Sequence, residues 1–108
     1  MPHLRVRGMK EEELVEISKD LLDEMVRIIE VPRDHFTLEH VHSTFVYDGQ
    51  TDANRYPFVD VLWFDRDHLM DEVAKTITSI IKRFDYEDVA VYFTNLKKNQ
   101  YFENGKHF

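Results

Sequence analysis

The stretch Pro57-Phe58-Val59-Asp60-Val61-Leu62-Trp63-Phe64 reads as a strand, because a proline opens a run of β-branched and aromatic residues with no glycine inside it. It has a counterpart near the start of the chain. Pro2-His3-Leu4-Arg5-Val6-Arg7 also opens on proline, and aligning the two prolines sets Leu4 on Val59 and Val6 on Val61. A helical pattern follows each strand. From about Lys10 to Ile29, Leu14, Ile17, Leu21, Leu22, Met25, Ile28 and Ile29 recur at steps of three and four, with Glu12, Glu16, Lys19, Asp20 and Asp23 on the other side. From about Arg66 to Phe84 the stripe is Leu69, Val73, Ala74, Ile77, Ile80, Ile81 and Phe84, with Asp65 or Asp67 as the N-cap. Sliding one half along the other superposes Ile17 on Leu69, Leu21 on Val73 and Met25 on Ile77.

A second strand-like segment follows each helix: Phe36–Tyr47 in the first half and Val89–Asn95 in the second. The chain therefore reads as β-α-β twice, over residues 2–47 and 57–95, joined by the polar stretch Asp48–Arg55 and followed by a tail over 96–108. Each unit makes a right-handed parallel crossover. Together they predict an α+β, two-layer sandwich over residues 1–108: one four-stranded sheet with both helices on one face. The opposite face has no helix to cover it, so the pattern predicts an oligomer. The tail is rich in aromatics, and its Asn104-Gly105 is a tight-turn signal; it is expected to pack on a neighbouring subunit or to cap a pocket.

Composition narrows the function classes. The 108 residues hold no cysteine, which excludes disulfides and thiolate chemistry and favours a cytoplasmic setting. A net charge of −7 would repel nucleic-acid phosphates, and the basic residues are scattered. The longest apolar runs, such as Val61–Phe64, are too short to span a bilayer, and no signal-peptide pattern is expected. There is no glycine-rich phosphate loop, no nucleophile elbow and no dense cluster of metal ligands.

The dipeptide Met1-Pro2 carries chemistry of its own. A methionine before a small residue is commonly trimmed, and trimming here would leave a secondary amine at the N-terminus. An α-amino group ordinarily titrates at about 7.7–8.0, near enough to neutrality to act as a base.

An N-terminal proline ahead of two β-α-β units resembles the tautomerase superfamily of macrophage migration inhibitory factor and 4-oxalocrotonate tautomerase. The resemblance extends to Ile28-Ile29-Glu30-Val31-Pro32-Arg33-Asp34-His35-Phe36 and to Asp88-Val89-Ala90-Val91-Tyr92-Phe93 with the aromatic tail ending in Phe108. The two proline-led strands look like an uncharacterised bacterial branch of it. The resemblance implies a homotrimer with pockets between subunits, in which Pro2 is the general base for tautomerisation of a small keto or unsaturated carboxylic acid. It implies no metal and no organic cofactor. Matched residue by residue, it puts Arg33, Glu39, Phe64 and Tyr92 at substrate-binding positions. Thr37 stands where the short tautomerases carry an arginine, and Glu39 stands where the pocket is usually apolar. That departure keeps an alternative open: a non-catalytic trimer of the same fold that binds a small molecule or a protein.

Other polar residues have simpler expected roles. Leu4 and Val6 should pack on the helices while His3, Arg5 and Arg7 share the opposite face. Asp60, amid apolar neighbours, needs a partner, and the repeat alignment suggests Arg5. His40 and His42 place two imidazoles on one strand face, a pattern found in metal sites, but the sequence offers no third ligand beside them and Glu39 points the other way.

Overall fold

The computed structural model describes residues 1–52 and 55–108. In chain order, β1 is His3–Arg7, α1 Glu11–Ile29, β2 Thr37–His40, β3 Val46–Tyr47, β4 Gln50–Thr51, β5 Phe58–Phe64, α2 Met70–Ile81, β6 Ala90–Leu96, β7 Phe102–Glu103 and β8 Lys106–His107. The main sheet has the order β2-β1-β5-β6. β1 runs parallel to β2, β5 parallel to β6, and the two halves join through the antiparallel pair β1–β5.

Strand alternation explains the two faces of this sheet. Leu4, Val6, Val59, Val61 and Trp63 point to the helical side and are at most 1 % exposed. They meet Leu14, Ile17, Leu21 and Met25 of α1 and Val73, Ile77, Ile80 and Ile81 of α2 in one core. Trp63 is fully buried, and its indole Nε1 donates to Asn95 Oδ1 at 3.0 Å, which satisfies the one polar atom it brings inside. Asn95 Nδ2 in turn donates to Asp67 Oδ1 at 3.2 Å, tying β6 to the turn that precedes α2.

The other face carries charge in pairs. Arg5 is the direct cross-strand partner of Asp60, yet the ion pair forms between Arg7 and Asp60. The expected Arg5–Asp60 contact is thus replaced by a diagonal one, which a long arginine side chain can span. Arg5 leans instead toward Glu39, with Nε 3.9 Å from Oε1.

Element boundaries differ from the sequence reading in physically clear ways. β2 stops at His40, and residues 41–45 are irregular before a small hairpin forms from β3 and β4. Its turn is Asp48-Gly49, with φ of 52° and 76°, the left-handed pair that a two-residue hairpin requires. The polar joining stretch is therefore partly a hairpin; Ala53 and Asn54 lie outside the described residues. Before α2 there is a 3-10 turn at Asp67–Leu69; the N-cap of α2 is Leu69 and that of the turn is Arg66, so neither Asp65 nor Asp67 caps the helix, and Asp65 Oδ1 instead accepts from the Asp67 amide at 3.2 Å at the entry to the turn. The tail forms a second hairpin, β7–β8, around Asn104-Gly105 as its turn signal indicates. Among the described residues, no helix is long and apolar enough to cross a membrane.

One glycine fixes a close approach. Gly8 follows β1 at φ 85°, and a Cβ there would lie 1.9 Å from the Tyr56 carbonyl oxygen. Only a residue without a side chain lets the chain turn from β1 toward α1 at this point.

Candidate active site

A cleft of about 710 Å³ opens where β1 and β2 begin and β5 and β6 end. Its apolar wall comes from alternation on β5 and from the tail. Leu62 and Phe64 point away from the helices, and Phe64 meets Tyr101 and Phe108 with ring centroids 5.5 and 5.3 Å apart. Tyr101 and Phe108 are themselves 5.0 Å apart. The tail therefore folds back over the end of the sheet of its own chain.

Met1 also lines the cleft, and the Tyr101 hydroxyl donates to its Sδ at 3.1 Å. Pro2, the next residue, is buried, and its carbonyl accepts from the Thr37 amide at 3.1 Å. The chain segment that begins β1 is thus held in place, with the peptide nitrogen of Pro2 joined to a residue that faces the cleft.

His3 stands between two neighbours on β2. Its Nδ1 lies 2.5 Å from Thr37 Oγ1, and its Nε2 lies 2.9 Å from Glu39 Oε1. With Arg5 on its other side, the Glu39 carboxylate has two basic neighbours. Cationic groups at the cleft come from elsewhere. Arg66 lines it, donating Nη1 to the Phe64 carbonyl at 3.0 Å, and Lys98 places Nζ 5.9 Å from the centre of the Phe64 ring. His35 and Asp34 come from the 3-10 turn Arg33–His35, and Glu103 from β7.

Of the residues expected at a substrate site, Phe64 lines this cleft; Pro2 follows Met1 in the chain but is itself buried and outside the lining. Arg33, Glu39 and Tyr92 are not part of its lining. The Arg33 guanidinium reaches back to Asp23 Oδ1 at 2.5 Å, and together with Lys19 it holds the Asp23 carboxyl below its usual range. Tyr92 stands on the open face of β6, 62 % exposed and opposite Asp60. Sequence reasoning missed Arg66 and Lys98. The available signal was their position, each two residues past the end of one of the parallel strands β5 and β6, at the same end of the sheet. It also missed that Glu11, on the first turn of α1, comes beside His40 and His42; the third ligand absent from their neighbourhood in sequence is supplied in space.

Two helices packed on one face of a β2-β1-β5-β6 sheet make the fold that this chain shares with macrophage migration inhibitory factor-like proteins and with fused 4-OT. The macrophage migration inhibitory factor-like protein of Entamoeba histolytica superposes with a TM-score of 0.75 at 15 % identity, over 99 % of this chain and 98 % of that one. The chain belongs to the DUF1904 family, described as a domain of unknown function, whose sequence profile matches residues 1–107. A DUF1904 domain from Sebaldella termitidis is 41 % identical over the whole of both chains, with a TM-score of 0.93. A protein of unknown function from Vibrio cholerae is 32 % identical over 99 % of this chain and 87 % of that one, with a TM-score of 0.86. Comparison with curated proteins gives no match.

Proposed function

We propose that the protein is a cofactor-independent tautomerase that isomerises a small keto or unsaturated carboxylic acid as a cytoplasmic homotrimer. The observation that carries this reading is the placement of Met1 at the cleft with Pro2, the next residue, buried. Removing Met1 would free a secondary amine and vacate the adjoining space in one step. The proline nitrogen then takes a proton from a substrate carbon or enol oxygen and returns it elsewhere on the same molecule. Arg66 and Lys98 offer positive charge for the substrate carboxylate, and the Tyr101 hydroxyl, released from the Met1 sulfur, can donate to the developing enolate oxygen. Phe64, Tyr101 and Phe108 supply the apolar wall. Glu39, which would oppose an anionic substrate, is partnered by His3 and Arg5. In a trimer, the open face of the sheet, with exposed Tyr92, and the hairpin residues Val46, Tyr47 and Phe102 would meet neighbouring subunits. Arg33, Glu39 and Tyr92 would then join a pocket only if a neighbour brings them there.

The test is ketonisation of phenylpyruvate and of 2-hydroxymuconate by protein whose intact mass shows loss of Met1. The expected rate falls by about 100-fold or more in Pro2→Ala. Equal rates for the two proteins reject the amine as base. No rate in either supports the second reading, a binding protein of the same fold, which the unusual carboxylate of Glu39 favours. Light scattering checks the trimer independently.

A further inference from the structure

The geometry points to a divalent-cation site, of the kind that takes zinc, formed by Glu11, His40 and His42. It lies at the opposite end of β1 and β2 from the cleft, where β2 ends and α1 begins. One donor atom from each of the three residues falls within 4.8 Å of the others. His42 Nε2 is 3.0 Å from Glu11 Oε1, and the two imidazole rings are 4.6 Å apart, edge to face. Ligands around a tetrahedral zinc with bonds of about 2.0–2.1 Å stand about 3.3 Å from one another, so a small inward movement of exposed side chains completes the set.

A second observation is independent of this spacing. His40 Nε2 lies 2.7 Å from the Met9 carbonyl oxygen. A carbonyl can only accept, so Nε2 is the donor, and in the neutral imidazole Nδ1 keeps its lone pair. That Nδ1 is buried and, among the described residues, has no hydrogen-bond partner. An imidazole whose one nitrogen donates to a backbone carbonyl while the other stays bare is the arrangement that orients a histidine toward a metal. The backbone between the two histidines is also fixed, because the Val41 amide donates to the Val6 carbonyl at 2.8 Å. Two imidazoles and a carboxylate suit zinc, and three protein ligands leave the fourth position to water. Glu12, on the same first turn of α1, lines the same recess as Glu11, His40 and His42 and adds negative potential there.

Bound there, the ion joins the start of α1 to the exit of β2. It stabilises that corner of the fold and takes no part in chemistry at the cleft. The experiment is zinc titration by calorimetry, on untagged protein stripped with a chelator, alongside the melting temperature with and without zinc. The expected result is one ion per chain with a rise in melting temperature. Glu11→Gln and His42→Ala, both at exposed positions, should each weaken binding about tenfold or more. The control His68→Ala should leave it unchanged. Lack of stoichiometric uptake by the wild type, or uptake that survives both substitutions, overturns the proposal. Circular dichroism of each variant confirms that it is folded before binding is compared.

Discussion

The Tyr86 hydroxyl donates to Glu13 Oε1 at 2.5 Å, fastening the segment after α2 to the first turn of α1. The same carboxylate oxygen accepts from the Lys10 amide at 3.1 Å, so one side chain caps its own helix and receives a bond from the other half of the molecule. Partial burial, then the bond to Glu13 and its negative charge, push the Tyr86 phenol up to about 12 from an ordinary 10.0.

A pH dependence follows from that shift. The folded chain holds the phenolic proton more tightly than the unfolded chain, so this contribution to stability is complete below pH 10. It is lost as pH rises from there through about 12. Urea midpoints measured across this range should fall less steeply in Tyr86→Phe than in the wild type. Identical slopes would remove Tyr86 as the cause.

The ion pair between Arg7 and Asp60 is partly buried on both sides. Asp60→Asn should cost about 2 kcal/mol, because the Arg7 guanidinium is left without its counter-charge. Arg7→Met should cost a similar amount, and the double variant less than the two together. Additive losses in denaturant unfolding would mean that the two side chains do not act as a pair.

Gly8 and Gly49 both adopt positive φ, but only Gly8 has backbone in the space a Cβ would fill. Gly8→Ala should therefore destabilise by about 2 kcal/mol or more, combining left-handed strain with a clash against Tyr56. Gly49→Ala, where a Cβ meets nothing within 4 Å among the described residues, should cost about 1 kcal/mol from conformation alone. Thermal unfolding of the two variants checks the order, and equal losses would contradict the role of the Tyr56 carbonyl.

Glu30 ends α1 in the left-handed region at φ 59°, and its amide donates to the Val26 carbonyl. Glycine suits that position better than a residue with a Cβ. Glu30→Gly should raise stability by about 0.5–1 kcal/mol, the relief of strain exceeding the added freedom of the unfolded chain. A lower melting temperature would show that the Glu30 side chain stabilises the fold in some other way.

The repeat made most of the architecture legible in the sequence, because strand alternation and helical stripes depend on residues close together in the chain. Val59, Val61 and Trp63 had to share one face, and both helices had to cover it. Asp48-Gly49 carried a hairpin signal that was absorbed into a linker, since the strands it joins are only two residues long. The site was less legible. Which arginine reaches Asp60 depends on side-chain direction across two strands, and register alone favours the wrong one. Arg66 and Lys98 come together with the tail only after β5 and β6 pair. The nearness of Glu11 to His40 is set by the parallel pairing of β1 with β2, which puts His40 opposite Val6 at the end where α1 begins and which no local pattern records.

The central sheet also carries a consequence for the order of folding. None of its three pairings joins strands through a tight turn: β1 meets β2 across a whole helix, β5 meets β6 across another, and β1 meets β5 across half the chain. The two local hairpins lie outside it. No zipper can start the sheet, so chain closure over long loops must come first, with the helices as early surfaces for collapse. The antiparallel β1–β5 joint is the pairing that makes one continuous sheet of the two halves, and it is the pairing that closes the longest stretch of chain.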